Sequence, residues 1–276
     1  MPELPEVETI KRQLSAKLKN KKIATVEIKI PKLIQGISIF KFKQLIVGAK
    51  IKQVRRRAKL LIVDLNNRYS LLTHLKMSGQ LIFLSKFSAD KINSSTVIIY
   101  FFTDGSVLLF NNPRRFAYVK LVATDQLTNI FSEFGPEPLE SAFNLAQFKE
   151  LLARRPRSKI KPLLMDQHWL AGIGNLYAQE ICFYAEVSPF RLVNSLSEQE
   201  MKKIYQGIKK ILPMAIKYRG SSTDQHYVDT DNRPGDYNAK IMVYSRQGKK
   251  CFRCGSIIKK IKLSGRGTCY CPYCQK

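Results

Sequence analysis

Two groups of residues in this 276-residue chain have the types and spacing for chemistry, and they lie at its opposite ends. The first is Pro2 with Glu3, inside the opening run Met1-Pro2-Glu3-Leu4-Pro5-Glu6-Val7-Glu8. With Met1 removed, Pro2 carries a secondary amine. A chain-terminal amine titrates at about 7.7–8.0 against about 10.4 for lysine, so an appreciable fraction is neutral and nucleophilic at physiological pH. After attacking a sugar carbon, a secondary amine can form only an iminium, a cation that needs no added proton and serves as an electron sink. Glu3 beside it can give or take protons. The rest of the run has a plainer explanation: Pro5 suits a first helical turn, and Glu6 and Glu8 complement the positive end of a helix dipole.

The second group is the cysteines at the far end. Cys251-Phe252-Arg253-Cys254 and Cys271-Pro272-Tyr273-Cys274 are two CxxC knuckles with 16 residues between them. That spacing is a zinc ribbon's, each knuckle giving two thiolates to one structural Zn(II). The intervening pieces are too short to fold without the ion. Cys269 is left over once four ligands close the site, and Cys182 sits alone in an apolar segment. Clustered thiols without a secretory signal indicate a reducing, cytoplasmic compartment. Ser264-Gly265-Arg266-Gly267 reads as the tip of the ribbon hairpin, with Arg266 either a solvated turn residue or a group placed to enter a nucleic-acid groove.

The elements that must position these groups fall into three stretches. Val7, Ile10, Leu14 and Leu18 make one apolar stripe on an opening helix. Alternation then predicts a strand from about residue 22, and others over 51–57, 60–65, 69–74, 80–84, 96–102, 106–110 and 117–122. Asn66-Asn67 and Asp104-Gly105 are hairpin turns between them. Some eight short strands imply an antiparallel sandwich or barrel with the helix alongside. Beyond the loop 134–139, helical patterning predicts helices over 144–153, 161–167 and 174–184. A fourth, long helix opens on the capping box Ser197-Glu198-Gln199-Glu200 and closes at Gly220. Residues 221–235 form a long polar loop without periodicity, a length usually reserved for function or motion.

Charge narrows the partner. Lys and Arg number 47 against 21 Asp and Glu, a formal +26, or roughly +24 with a tetrathiolate zinc site. Such an excess opposes compaction unless a polyanion is bound. No apolar run of spanning length, signal peptide or lipidation motif favours a membrane. Nucleic acid is the better partner. Arg55-Arg56-Arg57-Ala58-Lys59 and Asn112-Pro113-Arg114-Arg115-Phe116 then suit either a solvated rim or phosphate contacts.

MPELPEVE, RRAK, HLKMSG, NPRRF, GIGN-YA and the terminal CxxC–x16–CxxC together resemble the bacterial formamidopyrimidine-DNA glycosylases, in order and from end to end. The resemblance implies an α+β architecture. An N-terminal antiparallel β-sandwich with a helix (1–133) precedes a helix–two-turn–helix domain (134–225) and a lesion loop with a zinc-ribbon hairpin (226–276). It implies a monomeric enzyme acting on double-stranded DNA that contains oxidised bases, excising 8-oxoguanine and formamidopyrimidines and then cleaving the strand by β,δ-elimination. By position, Pro2 is the Schiff-base nucleophile, Glu3 a proton donor, and Lys59 and Arg266 the proton donors for the two eliminations. Met77, Arg114 and Phe116 fill the gap left by the extruded nucleotide. His74, Arg157, Asn175 and Tyr244 fall at or near phosphate contacts, and Ser222 and Thr223 in the loop that closes on the lesion. The related endonuclease VIII branch, which prefers oxidised pyrimidines, begins PEGPE where this chain has Pro2-Glu3-Leu4-Pro5-Glu6. Departures from the family pattern are Asn112 for aspartate, Ala117 for glycine, Gln179 for an acid, and no histidine in 91–95.

Overall fold

The computed structural model describes residues 1–223 and 225–276, so one position of the expected loop 221–235 lies outside the described residues. The chain divides into two compact units, Met1–Ser132 with Tyr218–Asp236, and Glu133–Lys217 with Tyr237–Lys276.

The first unit begins with α1 (Leu4–Leu18), whose buried Leu4, Val7, Ile10, Leu14 and Leu18 are the stripe read from the sequence. There follow β1 (Ile23–Ile28), β2 (Ile34–Gln35), α2 (Ile39–Ile46), β3 (Ile51–Arg57), β4 (Leu60–Leu65), β5 (Tyr69–His74) and β6 (Gln80–Leu84). β7 (Thr96–Phe102), β8 (Val107–Asn111), β9 (Tyr118–Ala123) and α3 (Leu127–Ser132) complete it. The strands form two sheets, ordered β1-β7-β8-β6 and β2-β9-β5-β4-β3, antiparallel throughout except for the short β2–β9 pair. β4 is buried at every residue, and its Leu61, Val63 and Leu65 join the apolar side chains of α1 and the facing sheet in one core.

The segment 218–236 returns to this unit. Asp229 and Thr230 are fully buried on the polar side of α1. There Gln13 Nε2 donates to Asp229 (3.0 Å), and Gln13 Oε1 accepts from the Thr230 amide (2.9 Å). Lys17 reaches Thr230 (2.8 Å) and Asp231 (2.5 Å). The far half of the long loop is therefore anchored on the helix that carries Pro2 at its head.

The second unit holds α4 (Leu145–Ala153), α5 (Ile160–Leu164), α6 (Asn175–Tyr184), α7 (Glu198–Lys217) and the hairpin β10 (Lys259–Leu263) with β11 (Arg266–Tyr270). The expected capping box is present in both halves: Ser197 N donates to Glu200 (2.7 Å), and Glu200 N to Ser197 Oγ (3.2 Å). Ser264 (φ 48°) and Gly265 (φ 75°) are both left-handed, the mirror-image turn that suits the twist of a hairpin. Among the described residues no helix is long and apolar enough to cross a membrane.

Where the segment 218–236 enters and leaves the first unit, its two legs meet backbone to backbone. A Cβ on Gly235 would lie 2.2 Å from the Gly220 carbonyl oxygen and 2.7 Å from that of Arg219. Gly235→Ala must push these legs apart, at a cost of about 1–3 kcal/mol. Thermal unfolding should show the loss as a melting temperature several degrees lower; an unchanged melting temperature would contradict the close crossing.

Candidate active site and zinc ribbon

The head of α1 is held by one side chain. Glu3 is the N-cap, with Pro5 in the first turn, and Pro2, Glu3 and Glu6 are buried. Glu6 Oε2 accepts from the Glu3 amide (2.8 Å), while Oε1 accepts from the Ser221 amide (2.8 Å). One buried carboxylate thus joins the residue after Pro2 to the first residue of the long loop. Gly220 (φ +79°) must be glycine for this, since a Cβ there would stand 2.7 Å from Glu6 Oε1. Inside the loop, Ser222 Oγ donates to Tyr227 O (2.6 Å) and accepts from Gly235 N (2.9 Å), and Ser221 and Thr223 hydroxyls meet at 2.6 Å.

The arginine run resolves into internal ion pairs rather than a free basic rim. Arg55 grips buried Asp64 with two hydrogen bonds (2.6 and 2.9 Å), and Arg56 reaches Glu8 (3.0 Å), tying β3 to α1. Burial would raise the Glu8 carboxyl, but hydrogen bonds from Arg12 and Arg56 hold it below its ordinary value. Lys59 follows in the β3–β4 turn, itself buried, after Ala58 in the left-handed region (φ 52°). Left-handed non-glycine residues also precede Met77 (Lys76, φ 51°) and separate Arg114 from Phe116 (Arg115, φ 54°). Three turns that carry expected site residues therefore hold a conformation that costs free energy.

His74 ends β5 opposite Leu60 at the start of β4. Its Nδ1 accepts from the Lys76 amide (2.9 Å), which leaves Nε2 to carry the ring proton. Burial, with the charges of Lys76 and Lys59, pushes its pKa down to about 3. His74 is a neutral donor, not a cation. The turns that carry Met77 and Arg114 meet at Ser78, whose Oγ accepts from Arg114 N (3.2 Å) and donates to Asn112 Oδ1 (3.3 Å). Phe116 is 58% exposed with the Arg114 guanidinium 5.6 Å from its ring centre, a placement no core residue would have. Asn112 Nδ2, where the resemblance leads one to expect a carboxylate oxygen, is buried without a hydrogen-bond partner.

In the second unit the sequence reading missed the central residue. Lys161 is fully buried at the start of α5, and its ammonium reaches Asn175 Oδ1 (2.6 Å) and Thr268 Oγ1 (3.0 Å). It fastens the N-terminus of α6 to β11, two residues from Arg266. Arg157, the expected cation, stays exposed on the loop before α5. A lysine on a short helix is ordinarily solvated, and only the apolar flanks Ile160, Pro162 and Leu163 hinted otherwise. Gln179 accepts from Cys269 N (2.7 Å) and donates to Gly267 O (3.2 Å), a pairing that an acid in its place could only half satisfy. Glu180, fully buried, accepts from three successive amides, Met242 (2.9 Å), Val243 (3.0 Å) and Tyr244 (2.9 Å). It was missed too, because its partners lie some sixty residues on.

The four knuckle cysteines place their sulfurs within 4.8 Å of one another, with Cys254–Cys271 at 3.4 Å and Cys251–Cys274 at 4.0 Å. Tetrahedral zinc with bonds of about 2.3 Å puts sulfurs roughly 3.8 Å apart, so the set fits the ion. Amides of Arg253 and Cys274 point at Cys251 and Cys271 sulfurs (3.4 Å each), as thiolate ligands require. Cys269 faces Gln247 instead (3.6 Å).

Comparison with known proteins agrees along the whole chain. Family models for the formamidopyrimidine-DNA glycosylase N-terminal domain, its H2TH domain, and the zinc finger found in FPG and IleRS match residues 1–119, 134–226 and 248–276. The formamidopyrimidine-DNA glycosylase of Pelotomaculum thermopropionicum is 41% identical over all of this chain and 99% of its own, and that of Listeria innocua 40% over all of both. The chain belongs to the formamidopyrimidine-DNA glycosylase family. The Lactococcus lactis Fpg, solved with abasic-site DNA, superposes with a TM-score of 0.91 at 33% identity, covering 99% of each chain. The family's zinc finger and the four gathered sulfurs together assign one structural zinc ion to the ribbon.

The depressed pKa of His74 has a consequence for stability. An unfolded histidine protonates near 6.5, whereas the native one resists down to about 3. Between those values the unfolded state binds the extra proton, so stability falls as pH drops from 6.5. His74→Gln should flatten that part of the curve of melting temperature against pH. An unchanged slope would show that His74 is already charged in the native protein.

Proposed function

We propose that this chain is a bifunctional DNA glycosylase and abasic-site lyase that removes oxidised purines, 8-oxoguanine and formamidopyrimidines, from double-stranded DNA. The observation that carries it is the Glu6 clamp, which fixes the Pro2–Glu3 head of α1 against the start of the loop 221–235. Structures of relatives support the substrate class: a Lactococcus lactis variant was solved with Fapy-dG DNA, and MutM with carbocyclic 8-oxo-G DNA. A further Lactococcus lactis complex holds an oxidised pyrimidine, so purine preference is one of degree.

In this reading the damaged nucleotide leaves the stack, at a cost of a few kcal/mol. Met77 and Phe116 wedge into the gap, and Arg114 hydrogen-bonds the widowed base. Ser222 and Thr223 belong to the loop over the extruded base. With Met1 gone, Pro2 nitrogen attacks C1′ and the C1′–N bond to the base breaks. Glu3 protonates the ring oxygen, the sugar opens, and the nitrogen becomes an iminium. Loss of a C2′ proton sends that electron pair towards the iminium and expels the 3′ phosphate. A second such elimination expels the 5′ phosphate, with Lys59 and Arg266 handling the protons. Water then hydrolyses the Schiff base and restores the amine. His74 as a neutral donor, with Arg157, Asn175 and Tyr244, grips phosphates, Asn175 being aimed by Lys161 and the Tyr244 backbone by Glu180. The zinc ribbon holds Arg266 in place and takes no part in the chemistry. The DNA concerned is that of a bacterial nucleoid.

The mature chain should incise an 8-oxoguanine duplex and leave phosphate on both sides of the gap. Glu3→Gln should slow base release by about 10²–10⁴-fold while binding the duplex normally. A chain that retains Met1 should bind without incising, because its Pro2 nitrogen is an amide; normal incision by that chain would sink the mechanism.

A further inference from the structure

Gln179 stands where the resemblance leads one to expect an acid, and it is 1% exposed on α6 against β11. That strand needs what a carboxamide offers. It belongs to a sheet of two strands, so one of its edges has no strand to pair with. The Gly267 carbonyl and the Cys269 amide, two residues apart, both point off that edge towards α6. Gln179 Oε1 accepts from Cys269 N (2.7 Å), while Nε2 donates to Gly267 O (3.2 Å) and to Asn175 O of its own helix (2.8 Å). One side chain thus does for the edge what a neighbouring strand would do. A carboxylate could accept from Cys269 N but has no hydrogen for Gly267 O.

Gly267 O has a second donor, Asn175 Nδ2 at 3.3 Å. When Asn175 turns to a phosphate, as the proposed function requires, Gln179 still holds that carbonyl. The start of the strand is fastened from the same side. Lys161 Nζ reaches Thr268 Oγ1 (3.0 Å), and Thr268 Oγ1 donates to Arg266 O (3.2 Å). Arg266 itself is exposed beside the hairpin tip. Its backbone is aimed by the ladder to β10 and, through Gly267, by α6. Aim matters here, because a misplacement of about 1 Å at a reacting group can cost on the order of a hundredfold in rate.

We propose that Gln179 is a positioning residue for the second elimination, holding the strand that carries Arg266 while Asn175 takes the DNA. The inference rests on the proposed role of Arg266 in that step. The test is single-turnover cleavage of an abasic-site duplex by saturating, zinc-loaded, full-length protein, resolving products cut on one side of the sugar from those cut on both. Gln179→Met keeps the length of the side chain and loses all three bonds. It should slow the second elimination by about tenfold or more and leave the first within about twofold, so that one-sided products accumulate. Gln179→Ala should behave alike, and both variants should keep their zinc. An unchanged second elimination, or an equal slowing of both eliminations, would overturn the positioning role. So would loss of folding or of zinc in both variants, since Gln179 would then support the ribbon as a whole. In the wild-type protein the Cys269 amide should exchange for deuterium as slowly as the amides of the β10–β11 ladder; fast exchange would remove the bond on which the role depends. Arg266→Ala in the same cleavage assay should stop the second elimination. If it does not, the proposed role of Arg266 fails, whereas a second elimination that needs Arg266 but not Gln179 defeats this inference alone.

Discussion

A buried carboxylate accepting two amides from distant parts of the chain is the constraint on which the first unit depends. Glu6 cannot be exposed, because its helix face packs on the sandwich, and it cannot be left unpaired, because a buried charge without partners is too costly. Its two bonds fix the head of α1 and the first residue of a loop more than two hundred positions later. Glycines at 220 and 235 are then forced, the first by the Glu6 side chain against it and its left-handed φ, the second by the backbone of residues 219–220. Gln13 and Lys17 repeat the arrangement further along α1, so one helix sets the position of both Pro2 and the loop. The second unit uses related devices with charges of either sign: buried Lys161 joins the Asn175 and Thr268 side chains, and buried Glu180 holds the amides of residues 242–244 in register with α6.

These internal uses change what the large positive charge means. Arg55, Arg56 and Arg219 are held by carboxylates of their own unit, and Lys161 by neutral oxygens. Such pairs organise the fold and do not bind a polyanion. The cations left for DNA include exposed Arg114 and Arg266, each on a turn whose backbone is fixed by its neighbours. Charge draws the duplex in without regard to sequence; the few fixed groups decide where the sugar lies.

Much of the fold could be read from the sequence because alternation and helical stripes report burial directly. Strands 51–57, 60–65, 69–74, 80–84 and 96–102 have the expected bounds, and those near 106 and 117 are displaced by one residue. The short helix Ile39–Ile46 was not foreseen: Ile39-Phe40-Lys41-Phe42-Lys43 alternates like a strand, and the Ser38 cap on Lys41 N decides for helix. β2, two residues long, is too short to show a period. Of the site, the knuckle cysteines could be recognised because two CxxC pairs at that spacing have no bland equivalent. Lys161 and Glu180 could not, since what makes them important is distant in the sequence: the Thr268 hydroxyl for one and the amides of residues 242–244 for the other. The arginine run was open to two readings, and the ion pairs to Asp64 and Glu8 choose the internal one for Arg55 and Arg56.

The proposed chemistry turns on the identity of one nitrogen. Borohydride reduction of the reacting complex with abasic-site DNA, followed by proteolysis and tandem mass spectrometry of the cross-linked peptide, reads that identity directly. The sugar remnant should be found on the nitrogen of Pro2 in a peptide lacking Met1. A remnant on the side chain of Lys59, or on a peptide that still begins with Met1, would contradict it.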